Sequence, residues 1–307
     1  MPRTPIACPY SYHSCSRATP RPGAAGLHRR PIGRTALALC MAAGLLAPNG
    51  AAAEDPAPST TPASVRPERE VRHGIGVRFG ARGTSVRDDL LVPLGFSGGG
   101  PDFGLVYHGL LGPGALAARL EVGASFVANR FGHLGFTIDH ALAVGYFMPV
   151  ATVRAWRLQI GTILGEDTDS LALESWDDAH RYWLGLAWLG AGGRVAGPLG
   201  ARWRLEAETE FAFLGFAGRP PEVRRSKQEP TASFSYYVFH PLADPRFVGF
   251  WDVQHWRFNV AARRTTSPGR VGHGWSFGCQ GRLTRADFPR TIIVLEASLY
   301  TSWTWGL

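Results

Sequence analysis

Past residue 53 this 307-residue chain holds a single cysteine, Cys279, because Cys8, Cys15 and Cys40 all precede that point. A lone thiol supports neither a disulfide framework nor a thiolate metal site. A surplus of positive charge is also missing from the main part of the chain. The whole sequence carries +8 and a pI near 9.8, yet residues 1–53 hold six arginines and no acid. Removing those six from 32 Lys+Arg leaves 26 against 24 Asp+Glu, a net of +2. No basic stripe remains, so nucleic acid is excluded as the expected partner. Metal and phosphate sites lack their signatures as well. No histidine pair has metal-ligand spacing with a carboxylate on the same face, and no glycine-rich loop opens a helix. No cofactor is therefore expected. The closest approaches to a catalytic group also fail on geometry, since His273 and Ser276, like Asp139 and His140, point to opposite faces of a strand. Asp177, Asp178 and His180 fall at a loop boundary, where they read as a solvated edge.

The amino terminus has a recognisable order. Arg29, Arg30 and Arg34 precede an apolar run from Thr35 to Ala47, then Pro48, Asn49 and Gly50 lead to Ala51, Ala52 and Ala53. Charge, then a short apolar run, then small residues is the order of a secretory signal peptide, with cleavage expected near Ala53. Residues 1–53 are thus read as an extension plus signal, and 54–69, rich in Pro, Ser, Thr and Ala without periodicity, as a disordered leader. Residues 70–307 remain as one ordered domain.

That domain shows no amphipathic helical period. It is instead a series of alternating segments separated by Gly, Pro, Asp or Asn. Ile75, Val77 and Phe79 alternate with Gly74, Gly76, Arg78 and Gly80 in the first. Phe103–Leu111 and Leu116–Val127 flank a Gly112-Pro113-Gly114 turn, with Arg119 and Glu121 on the polar face of the latter. Leu134 to Tyr146 forms a fourth apolar stripe with Asp139 behind it, and Trp156, Leu158 and Ile160 lie on the apolar face of a fifth strand ending at Ile163. An acidic loop is expected from Gly165 to Ala179, followed by an apolar stripe of Tyr182, Leu184, Leu186 and Trp188. Trp203, Leu205, Ala207, Phe211 and Phe213 then alternate against Arg202, Arg204, Glu206, Glu208 and Glu210. The phase of residues 248–262 flips near Val253, and Cys279 joins the apolar face of the following strand. In the last fifteen residues Leu295, Leu299, Trp303, Trp305 and Leu307 share one face, and Glu296, Ser298, Tyr300 and Ser302 the other.

A half-polar strand with interfacial tryptophans that ends the chain resembles the closing strand of bacterial outer-membrane β-barrels, with Leu307 where that family's assembly signal has a terminal Phe. The resemblance implies a transmembrane antiparallel up-and-down all-β barrel, its apolar face on outer-membrane lipid and its tryptophans in interfacial girdles. It also implies assembly by the barrel-assembly machinery through Trp303, Trp305 and Leu307. Ten strands are expected, or twelve if Val86–Phe96 forms one; Ser233–His240 is left within a loop from Gly218 to Pro245. A secreted β-sandwich would alternate in the same way and is the competing fold.

Arg119, Glu121, Asp139, Arg202, Arg204, Glu206, Glu208 and Glu210 are the expected lumen-lining charges, because such groups need water or one another. Two functions follow from the same residues. Paired across strands they fill a structural barrel, and lining a slightly wider one they set the selectivity of a narrow pore. A lipid-modifying enzyme is the sharper alternative. Acidic residues of 165–179 and basic Arg219, Arg224, Arg225 and Lys227 would contact any extracellular partner, whose nature the sequence leaves open.

Overall fold

A computed structural model of the chain describes residues 73–89, 92–173, 182–200, 202–219, 245–265, 274–288 and 290–306. The expected signal and leader lie outside these residues, as do Ser233–His240, Asp177, Asp178, His180, Arg224, Arg225, Lys227, His273 and Leu307. Among the described residues there are eleven strands: β1 (His73–Asp88), β2 (Val92–Leu111), β3 (Gly114–Asn129), β4 (Leu134–Val153), β5 (Trp156–Leu173), β6 (Tyr182–Pro198), β7 (Trp203–Gly218), β8 (Arg246–Gly249), β9 (Val253–Thr265), β10 (Gly274–Ala286) and β11 (Ile292–Gly306). Consecutive strands pair antiparallel, except that β8 and β9 both pair with β7, and β11 pairs along its whole length with β1, from Gly74↔Gly306 to Asp88↔Ile292. The sheet closes on itself as a ten-stranded barrel, with β8 as a short extra strand. One closed sheet with its apolar side outward rules out the sandwich.

Local chemistry explains the connections. Gly112, at φ 59°, turns the chain at Gly112-Pro113, a conformation that a side chain resists. Asn129 Oδ1 accepts from the amides of Phe131 and His133 and shapes the β3–β4 turn. The phase flip near Val253 is a break: β8 pairs with Leu214–Ala217 of β7, β9 pairs with Trp203–Phe211, and Phe250–Asp252 turn between them. Asp252 Oδ2 accepts from Gly249 N at 3.1 Å and holds that turn. Val86 and Phe96 belong to the end of β1 and the start of β2, so they form no separate strand; the barrel has the expected ten strands and the twelve-strand alternative falls away.

Register fixes the dimensions. Hydrogen-bonded partners lead from His73 through Gly109, Leu116, Tyr146, Thr162, Ala191, Phe211, Trp256, Leu283 and Leu295 back to β1 at Ser85. The offset, 85 minus 73, is a shear of 12 residues. With about 3.3 Å per residue and about 4.8 Å between strands, this shear tilts the strands by roughly 40° and gives a backbone cylinder about 10 Å in radius. Long side chains from opposite walls meet across such a cylinder.

The outer surface carries the apolar belt: Phe79, Phe103, Leu120, Leu142, Ile160, Phe213, Phe277 and Leu299 are all exposed. Trp156, Trp203, Trp275, Trp303 and Trp305 ring the end where β1 begins and β11 finishes, hereafter the terminal end. Toward the opposite, distal end the outside of β1 turns polar at Gly83, Ser85 and Arg87. Phe79→Arg is accordingly expected to cost about 2–4 kcal/mol, as a cation at mid-bilayer does. Ser85→Arg is expected to stay within about 0.5 kcal/mol, as surface changes do. Denaturant titration of the protein refolded in lipid bilayers reads both.

Candidate functional site: a stratified lumen

The inward faces of the strands change character along the axis. At the distal end the filling is apolar: Val86, Phe96, Val127, Leu171, Leu184, Leu186, Val248, Ile292 and Val294 form one buried cluster. Each such side chain contributes about 1.5–3 kcal/mol when fully buried. Around this apolar core the outside of β1 carries Ser85 and Arg87, while Phe126, Leu134, Phe216 and Phe247 keep the outside of β3, β4, β7 and β8 apolar. Arg219 closes over it. Its guanidinium donates to Phe288 O and Arg290 O, each at 2.6 Å, and to Asp88 Oδ1 at 2.9 Å, tying the end of β7 to the β10–β11 turn and to β1.

Below the apolar plug lies a belt of ion pairs that span the lumen. Arg119 of β3 forks onto Glu210 of β7 through two hydrogen bonds, and Arg257 of β9 reaches Glu121 on β3. Arg282 of β10 meets Asp169 and Asp167 of β5, the latter at 3.1 Å, and Glu296 of the adjacent β11 at 2.8 Å. Arg78 bridges Glu121 at 2.9 Å and Asp102 at 3.3 Å, while Arg82 binds Asp139. Asp139, Asp169 and Glu296 place carboxylate oxygens within 4.8 Å of one another. The Arg82 and Arg282 guanidiniums stand among them and supply the countercharge that a cation would.

Trp188 joins the two layers. Its indole Nε1 donates to Asp167 Oδ2 at 2.6 Å, and its ring lies 5.1 Å from that of His255. Gly165 opposite makes the room, because a Cβ there would stand 2.4 Å from the indole. Gly123 does the same for Arg82, whose guanidinium would meet a Cβ at 2.2 Å. His255 Nδ1 is hydrogen-bonded with Thr284 Oγ1 at 3.0 Å, and its Nε2 lies 3.4 Å from Asp167 Oδ2. The order of hydroxyl, imidazole and carboxylate is that of a nucleophilic triad, but His255 Nε2 makes no hydrogen bond, and Thr284 is 1% and His255 0% exposed. No substrate reaches them in this state.

At the terminal end the lumen opens into a cavity of about 340 Å³. Its floor is the ion-pair belt. Arg194 pairs with Glu208 at 2.8 Å and lies 3.6 Å above the Phe147 ring. Glu206 sits 3.8 Å from Arg204 and 4.0 Å from Arg263. Glu208→Gln breaks a pair in the cavity and leaves the plug untouched. Planar-bilayer recordings are expected to show no current in either form, with a loss of about 1 kcal/mol in stability.

Of the eight charges expected inside, Arg119, Glu121, Asp139 and Glu210 meet in the belt, while Arg204, Glu206 and Glu208 line the cavity. Arg202 is corrected: it is exposed in the turn before β7. The expected acidic loop is corrected as well, since Gly165–Leu173 continue β5 and carry Asp167 and Asp169 into the belt. Residues 174–179 lie outside the described residues. The Leu184, Leu186 and Trp188 stripe points inward, not to lipid, because the lumen at that level is apolar. Cys279 keeps its outward register opposite Leu299 yet is covered to 8% exposure. Arg219 is buried in its clamp and is not free for a partner. Arg78, Arg82, Asp102, Arg257, Arg282 and Glu296 complete the belt and were not among the expected charges. The place of Arg78 and Glu296 on the polar face of the alternation was their signal.

The chain matches no protein-family model and no curated protein sequence. Its fold is similar to that of solved barrels. Over 76% of this chain and 96% of the other, it aligns with the outer membrane protease OmpT from Escherichia coli at 6% identity and a TM-score of 0.48. The translocator domain of the autotransporter NalP from Neisseria meningitidis aligns over 77% and 90% at 13% identity, TM-score 0.34. An outer membrane channel from Pseudomonas putida F1 aligns over 80% and 100% at 12% identity, TM-score 0.31. A protease, a translocator and a channel share little beyond a closed barrel, and at these identities the likeness is one of architecture.

Proposed function

We propose that this protein is a closed barrel of the bacterial outer membrane, structural in role, whose lumen does not conduct. The observation that carries this reading is the succession of two seals, an apolar plug and a cross-barrel ion-pair belt, inside a cylinder only about 10 Å in radius. Either layer alone obstructs hydrated ions. The apolar belt and the terminal girdle of tryptophans support the membrane setting. The signal-like order of residues 29–53 supports export, with cleavage near Ala53. Trp303 and Trp305, both exposed on the outer face of the closing strand, are the residues that the assembly machinery would meet, together with Leu307.

Envelope fractionation followed by electrophoresis of boiled and unboiled samples tests this placement. A detergent-extracted outer-membrane protein whose mobility shifts on heating is the expected result. Release into the soluble periplasmic fraction, with no shift, would overturn it.

A further inference from the structure

The cavity at the terminal end differs from both layers behind it. It is a dead end, because Arg119–Glu210 and Arg257–Glu121 form its floor. Its walls are unlike each other. On the side of β2 to β5 Ala117, Ala143, Phe147 and Ile163 form an apolar stretch, interrupted toward the mouth by His108, Arg157 and Gln159. On the other side stand arginines and glutamates of β6, β7 and β9. Charge is unbalanced above the floor: Arg194, Arg204 and Arg263 face Glu206 and Glu208 among the described lining residues. A filled lumen that served only to hold the wall together would close these pairs as tightly as the belt does. Instead Arg204 and Arg263 share Glu206 at 3.8 and 4.0 Å, too far for good hydrogen bonds. Arg194 is laid flat on Phe147, and its buried Nε has no hydrogen-bond partner. A guanidinium set on an aromatic ring with a donor unmet is preorganised for a planar anion.

We infer that this cavity is a binding site for a small single-chain amphiphile with an anionic head, taken from the aqueous space at the terminal end. The carboxylate or phosphate head meets Arg194 and Arg263, and the apolar body lies against Phe147, Ala117 and Ala143. The volume of about 340 Å³ holds on the order of ten water-sized groups. That admits a chain of medium length and excludes a two-chain phospholipid. Because the floor is sealed, the ligand is held and released at the same mouth and does not pass through.

Titration calorimetry of the heat-modifiable protein in a neutral maltoside detergent, with decanoate below its own micelle concentration, tests the assignment. Saturable one-to-one binding that weakens with salt is expected, whereas decylammonium and decanol give only micelle partitioning. Arg194→Gln and Arg263→Gln together are expected to weaken decanoate at least about tenfold, the cost of losing a charge-assisted pair. Ala117→Phe should abolish binding by filling the cavity. Arg87→Gln removes the same charge from the exterior at the distal end and should leave affinity unchanged. If Ala117→Phe fails to show the heat-dependent mobility of a folded barrel, the arginine pair decides alone. Decylammonium binding as tightly as decanoate, or decanoate unaffected by the arginine changes in folded protein, overturns the inference. A barrel that conducted yet still bound decanoate would sink the closed-lumen reading and leave this one standing.

Discussion

Arg282→Met is expected to lower the stability of the folded barrel by about 3–5 kcal/mol, the cost of leaving buried charge without its partner. Asp169→Asn, one contact away, is expected to change it by less than about 1 kcal/mol. The asymmetry follows from the composition of the belt. Among the described residues five arginines, Arg78, Arg82, Arg119, Arg257 and Arg282, face seven carboxylates, Asp102, Glu121, Asp139, Asp167, Asp169, Glu210 and Glu296. Negative charge is in surplus, so every arginine is needed and a carboxylate is not. Arg282 also holds more partners than any one acid returns, contacting Asp139, Asp167, Asp169 and Glu296, whereas Glu121 contacts three arginines. Its loss brings these carboxylates face to face in a site sealed from water. Asparagine at 169 keeps an oxygen to accept from the guanidinium while relieving repulsion from Asp167 and Glu296. Guanidinium titrations of both variants, followed by the loss of the compact electrophoretic form, measure the difference. Equal destabilisation by the two changes would show that the charge balance does not govern this layer.

Trp188→Ala is the second large effect, an expected loss of about 3–5 kcal/mol from a buried aromatic. Two terms add here. The indole is 1% exposed and fills the space that Gly165 leaves open, so its removal creates a cavity that the tilted wall cannot collapse into. Asp167 also loses the donor at 2.6 Å that supports its place beside Arg282 and His255. Trp188→Phe restores most of the volume without the donor and separates the terms, with an expected loss of about 1–3 kcal/mol. Were Trp188 on lipid as an interfacial residue, alanine and phenylalanine would each cost little. Thermal shifts of the electrophoretic mobility in the three proteins distinguish these positions.

The outer face was the most legible part of the chain. Lipid demands apolar residues at every second position, and Ile75–Phe79, Leu120–Phe126 and Leu295–Trp305 obey it, so strand existence, closure and the count of ten could be read from alternation. What misled was the distal third, where the strands leave that rule. In β5 the residues after Leu164 alternate Glu166, Thr168 and Ser170 against Asp167 and Asp169, offering no lipid face, and therefore read as a loop. In β6 the apolar stripe of Leu184, Leu186 and Trp188 follows the pattern of a lipid face while serving as a core. One alternation cannot say which side is inside. The pairing of charges was less legible still. Arg119 and Glu210 are 91 residues apart and Arg257 and Glu121 are 136 apart, so their meeting depends on a shear of 12 residues that no single strand encodes. His255, Thr284 and Asp167 come together for the same reason, from three strands with no shared motif.

The sealed lumen is tested most directly by single-channel recording of the folded, heat-modifiable protein in planar bilayers at high salt and moderate voltage. A barrel closed by the plug and the ion-pair belt gives a flat baseline, and Glu208→Gln leaves it flat. Reproducible conductance steps from wild-type protein, with an ion preference altered by Glu208→Gln, would contradict closure and establish a narrow pore instead.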